Sequence, residues 1–158
     1  MKGYAMHTRI VFAILVVLAL LPATAAAQRE GFGVGIIVGE PTGISIKQWL
    51  SSKTAVDAAI AWSFARESSF HLHADYLVHA FDEFQTTEAV PLYYGIGGRL
   101  KSSKGGDARL GVRGVIGIGY LFREAPIDLF FEMAPILDLT PSTELSINGG
   151  FGARYFLR

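Results

Sequence analysis

From residue 31 onward the chain alternates. In residues 69–81 the series Phe70, Leu72, Ala74, Tyr76 and Val78 interleaves with His71, His73, Asp75 and His79. In residues 107–122, Leu110, Val112, Ile116, Ile118, Tyr120 and Phe122 share one parity, and Arg109 and Arg113 share the other. In residues 127–138, Ile127, Leu129, Phe131, Met133 and Leu137 alternate with Asp128 and Glu132. Period two is the signature of a strand, whose successive side chains point to opposite faces. Each of these segments therefore predicts one face free of charge and one face that carries all of it.

Eight such segments can be read: 31–39, 43–51, 54–65, 69–81, 90–101, 107–122, 127–138 and 144–157. Turn chemistry separates them, as in Glu40-Pro41-Thr42-Gly43, Ser51-Ser52-Lys53 and the KSSKGG run at 101–106. The least regular stretch is 82–89. The 18 glycines run through the segments themselves, and at about 1 kcal/mol each in a helix interior they disfavour a helical fold. The pattern shows no domain boundary and no linker.

Residues 1–27 read as a secretory signal peptide. Lys2 and Arg9 supply the basic start, residues 10–21 are unbroken apolar sequence, Pro22 ends the run, and Ala25-Ala26-Ala27 offers a small-residue cleavage site. The apolar run is shorter than the ~20 residues of a spanning helix. The remaining 28–158 is predicted to be one domain. Without Lys2 and Arg9 the 14 basic residues fall to 12, against 14 acidic ones, which gives no basic footprint for a nucleic acid. There is no cysteine, so an exported domain must be held by its core or by closure of its sheet.

Mean hydropathy is +0.36 and 51% of residues are hydrophobic, yet no stretch beyond residue 21 could span as a helix. In lipid every backbone polar group must be satisfied internally, which leaves the closed barrel. The expected fold is all-β: an eight-stranded antiparallel up-and-down transmembrane β-barrel, apolar outside and polar within. A soluble carrier barrel needs the inverse assignment and would put many aromatic rings in water. With the N-terminus on the periplasmic side, Phe32, Tyr120, Phe122 and Tyr155 fall at the inner rim, and Trp62, Phe64 and Phe70 at the outer rim, as interfacial girdles do.

In this pattern the chain resembles the small eight-stranded outer-membrane barrels of the OmpA type. The segment 151–157 (FGARYFL) resembles the terminal signal that the barrel-assembly machinery recognises, although it ends on Leu157 and Arg158 rather than on an aromatic. Residues 35–50 (GIIVGEPTGISIKQWL) are similar to the opening hairpin of uncharacterised bacterial outer-membrane barrel domains. The resemblance implies a bacterial outer-membrane location, outer-membrane lipids and the assembly machinery as partners, and a single-copy barrel.

The candidate site is the inward face. It carries Lys47, Arg99, Arg109, Arg113 and Arg154 against Asp57, Asp75, Asp128 and Glu132, with His71, His73 and His79. An eight-stranded interior is just wide enough for side chains to fill it, and charges buried there must pair. The expectation is a charge network that plugs the lumen, in a protein with a structural, anchoring or surface-interaction role. A narrow pore lined by the same groups is the alternative. A lipid-modifying enzyme with Ser68 or Ser69 near His71 comes third, and no triad is evident. His71 and His73 could share a metal, but nothing in their spacing is specific to one, so no cofactor, metal or catalytic residue is expected. The inward glycines, among them Gly33, Gly35, Gly97, Gly111, Gly117 and Gly119, match no phosphate-binding fingerprint and read as room for long side chains.

Overall fold

A computed structural model describes residues 30–63, 69–84, 86, 88–103 and 107–157. Residues 1–27, read above as a signal peptide, lie outside the described residues with Phe64 and Ser68, as do the side chains of Trp62 and Ser69. Eight strands follow one another: β1 (Phe32–Gly39), β2 (Gly43–Trp49), β3 (Thr54–Ser63), β4 (Ser69–Ala80), β5 (Leu92–Ser103), β6 (Arg109–Leu121), β7 (Ile127–Thr140) and β8 (Glu144–Leu157). Each pairs antiparallel with the next, and β8 returns to β1, closing an up-and-down barrel.

Strand ends differ from the sequence reading by a few residues, for local reasons. The second strand stops at Trp49 because Ser51 Oγ accepts from the amides of Lys53 and Thr54 at 3.2 and 3.1 Å, forming the turn. The fifth starts at Leu92, after Pro91, which has no N–H for the ladder. Residues 89–91 still lie along β6: Ala89 bridges Leu121, and the Gly119 amide donates to Pro91 O at 2.9 Å. Between β1 and β2, Gly39 takes φ +141, where a Cβ would strike the backbone of Gly149 and Gly150; glycine is required there.

The register fixes the stagger. Followed from Asp128 of β7 through Arg154, Gly35, Ser45, Ala59, His73, Arg99 and Gly111, it returns to β7 at Asp138, ten residues further on. A ten-residue stagger at ~3.3 Å per residue, against eight strand spacings of ~4.8 Å, tilts the strands by about 40°. This offset decides which inward side chains meet.

Burial follows parity. Along β7 inward and outward residues alternate without a break from Asp128 to Asp138. Every residue read as outward whose side chain is described is exposed or half-buried, and none is charged. Ile36, Ile96, Phe131, Ile147 and Phe151 are among the exposed. Phe32, Phe122 and, half-buried, Tyr120 and Tyr155 are all outward near the end of the barrel that holds the chain termini, with the Tyr120 and Phe122 rings edge-on at 4.8 Å. The core is the lumen. One apolar cluster there joins Ile37, Leu77, Tyr93, Val115 and Phe130, and a second, nearer the terminal end, joins Trp49, Ala55, Leu121 and Phe156.

The wall is uneven in height. The first two strands have 8 and 7 residues, whereas β7 and β8 have 14 each. At the end away from the termini, the β7–β8 hairpin therefore overtops the β1–β2 hairpin.

Candidate functional site

Lys47, Asp57, Asp75, Arg99, Arg113, Asp128, Glu132 and Arg154 are all buried in the lumen, as are His71, His73 and His79. They form three linked groups. In the first, Arg154 is the hub. Its Nη2 donates to Asp57 Oδ2 and its Nε to Ser45 Oγ, both at 2.9 Å, while Nη1 lies 3.5 Å from Asp128 Oδ2. Its guanidinium sits over the Phe130 ring at 3.8 Å. Lys47 completes this group, 3.7 Å from Asp128 and 2.9 Å from His79 Nε2, with Trp49 beneath its ammonium.

The second group centres on Arg113, whose Nε is 2.9 Å from Asp75 Oδ2 and whose Nη2 donates to Glu132 Oε1 at 3.0 Å. The other oxygen of Glu132 accepts from Tyr93 OH at 3.4 Å. His73 Nε2 stands 3.9 Å from Asp75, and the His71 ring meets His73 edge-on at 5.7 Å. In the third group Arg99 Nη2 donates to both oxygens of Asp138, at 2.6 and 2.5 Å.

A single geometric rule joins partners from strands that are not neighbours. Arg113 on β6 reaches Asp75 on β4 across Gly97 of β5, to which both are registered. Arg99 reaches Asp138 across Gly111, Tyr93 reaches Glu132 across Gly117, and Arg154 reaches Ser45 across Gly35. A Cβ at Gly97, Gly111 or Gly117 would run into Asp75, Asp138 or Tyr93 respectively. The inward glycines thus remove the wall between second-neighbour strands, and the long side chains lie over them.

Arg109 departs from the expectation. Parity assigns it to the lumen, yet its side chain is 44% exposed at the barrel mouth and donates to Glu144 Oε2 at 2.7 Å. It stands first in β6, at the rim of the barrel, where its Nη1 lies 3.8 Å from the buried Asp138 while the guanidinium reaches out to Glu144. Asp138, which sequence reasoning missed, takes the inner position. The signal was present, because Asp138 shares the parity of Asp128 and Glu132 on the same strand. Asp128 engages Lys47 and Arg154.

Among the described residues, no three His, Cys, Asp or Glu side chains converge as metal ligands. His71, the candidate partner of a serine nucleophile, is buried in the lumen. The arrangement holds charge in place. Among the described residues four buried cations face five buried anions, and removing one member of a buried pair costs about 3–5 kcal/mol because the other is stranded. No protein-family model, curated protein or solved structure matches the chain.

Proposed function

We propose that the chain is an exported protein of a bacterial outer membrane, held there as an integral barrel. Its role is structural, anchoring or surface-interacting and not catalytic. The observation that carries this reading is the inversion of the barrel: among the described residues four cations and five anions of the inward face are sealed inside, and the outer wall is mainly Leu, Ile, Val, Phe, Met and Tyr with no charge. Water outside would leave that wall as one apolar surface, far beyond the few hundred Å² a soluble monomer exposes. Lipid outside turns the same wall into the favourable contact. A ten-residue strand tilted by about 40° rises ~25 Å, the height of the apolar band of such barrels.

The lumen network supports a plug in preference to a pore. Its side chains are nearly inaccessible to solvent and are tied across the bore by ion pairs from different strands. Outer-membrane lipids are the partner of the wall, and β8, whose last residues pair with β1 to close the barrel, is the strand offered to the assembly machinery. The test is folding in detergent micelles and lipid vesicles. The unheated protein should migrate differently from the boiled one on a denaturing gel and give a β-sheet circular dichroism spectrum. A chain that folds and stays soluble in water without amphiphile refutes the membrane reading.

A further inference from the structure

The outer wall is creased where β6, β7 and β8 meet the terminal end of the barrel. Just before β5, residues 89–91 continue its line along β6. Ala89 bridges Leu121 and the Gly119 amide donates to Pro91 O at 2.9 Å, which sets Val90 beside Tyr120. Tyr120 is registered with Leu129, and Ile118 with Phe131, which is registered in turn with Phe151. These six side chains border an apolar groove of about 360 Å³. Between the two rows the ladder presents Gly119 and Gly152, so bare backbone forms part of the floor.

The groove climbs the wall obliquely. The ten-residue offset that tilts the strands also raises the ladder by ~3 Å at each step from β6 to β8, and each residue along a strand adds ~2.5 Å, so Phe151 stands about 15 Å above Val90 as measured from the terminal end. That is half of a ~30 Å hydrocarbon core, the depth of one leaflet. The foot of the groove is polar and holds both signs of charge. Tyr120 OH donates to Glu88 Oε2 at 3.2 Å, and Arg123 stands close enough to act electrostatically on the same phenol. Glu88 and Arg123 are both exposed. The stretch 81–91 adds Asp82 and Glu83 and has no basic residue, so this rim favours a ligand that brings a cation with its anion.

We propose that the groove holds one acyl chain of a phospholipid with a primary ammonium headgroup, drawn from the leaflet on the terminal side. The chain enters beside Val90, runs between the Tyr120–Leu129 row and the Ile118–Phe131–Phe151 row, and ends near the bilayer midplane. The ammonium sits at Glu88 and the phosphate at Arg123, whose guanidinium matches its oxygens. A headgroup with net negative charge would face the acidic stretch 81–88 with no cation of its own to offset it. The proposal rests on the membrane reading and deepens it, because it names which lipid the wall holds and where.

Photo-cross-linking tests it on the full folded chain. The protein in detergent micelles receives a few equivalents of a phosphatidylethanolamine that carries a diazirine midway along one acyl chain, and is irradiated and digested. Label should fall several-fold more on the segments around Leu129 and Phe131 than on the outward residues of β1 to β3. The phosphatidylglycerol analogue should label the same segments less. Val90→Trp narrows the foot of the groove with a side chain that suits a membrane interface. It should keep the heat-dependent gel shift and lose most of the label. Even labelling around the parent barrel overturns the site, and so does undiminished labelling of folded Val90→Trp. Equal labelling by the two lipids overturns the headgroup assignment. The gel shift is recorded on the same samples, so a folded barrel without localised label is a failure of this site alone. A chain that folds without amphiphile is a failure of the membrane reading.

Discussion

Arg113 and Asp75 form an ion pair at 2.9 Å although the strands that carry them are not neighbours. The strand between them presents Gly97 at the shared register position, and the pair exists because that residue has no side chain. Gly97→Ala would drive a methyl group into Asp75 and the Ala74 carbonyl, and overpacking of this kind costs about 1–3 kcal/mol. The adjacent Gly98 faces outward, and a methyl carbon added there would meet nothing nearer than 3.8 Å, so Gly98→Ala should leave stability almost unchanged. Urea unfolding of the two variants in lipid vesicles checks the contrast; equal effects would mean that the glycine is not what lets the pair form.

Glu132 holds Arg113 and Tyr93 together. Glu132→Gln keeps the shape and removes the charge, leaving Arg113 with one anion in place of two. The expected loss is about 3–5 kcal/mol if the site is fully desolvated. Combined with Arg113→Met, the loss should fall short of the sum of the single changes by about 0.5–3 kcal/mol. Strict additivity in a double-mutant cycle would show that the two groups do not interact.

The two arginines near Asp138 should behave differently. Arg99 is buried on Asp138, whereas Arg109 sits half in solvent on Glu144. Arg99→Ala leaves the buried Asp138 with only the distant Arg109 Nη1, 3.8 Å away, and should cost about 3–5 kcal/mol. Arg109→Ala removes a surface pair worth at most ~1 kcal/mol. Chemical unfolding decides between this ranking and its reverse, and the reverse would return Arg109 to the lumen.

Ile60 lies on the outer wall between Ile44 and Leu72. With lipid outside, Ile60→Arg should cost about 2–4 kcal/mol near the midplane and reduce insertion into vesicles. Asp57→Asn, on the same strand but facing Arg154, should insert normally and lose stability only through the network. Normal insertion of Ile60→Arg argues against lipid at that wall.

The strand count, the closure and the two faces were legible in the sequence because parity is a local property, repeated in every segment. His71, His73, Asp75 and His79 announce the inward face of β4 without any knowledge of its neighbours. Pairing was legible only in part: Arg113 with Glu132 joins the adjacent strands β6 and β7, whereas Arg113 with Asp75 and Arg154 with Ser45 depend on a stagger that only the closed register sets. Asp128 meets its registered neighbour Arg154 on β8 and also Lys47 on β2, which only the closed register brings to it. Arg109 keeps its parity but is not buried, because it stands at the end of β6 where the lumen opens, between Asp138 and Glu144. The unequal height of the wall was likewise invisible until the lengths of β1 and β8 could be compared.

A membrane barrel whose lumen is closed by its own charges should not conduct. Single-channel recording in a planar bilayer, on protein whose insertion is verified by the heat-dependent gel shift, tests this most directly. No unitary current is expected from the parent protein in molar salt, because Arg113, Arg154 and their carboxylates bridge the bore. Stable ohmic openings from the inserted parent protein would contradict the plug and make the same residues the lining of a narrow pore.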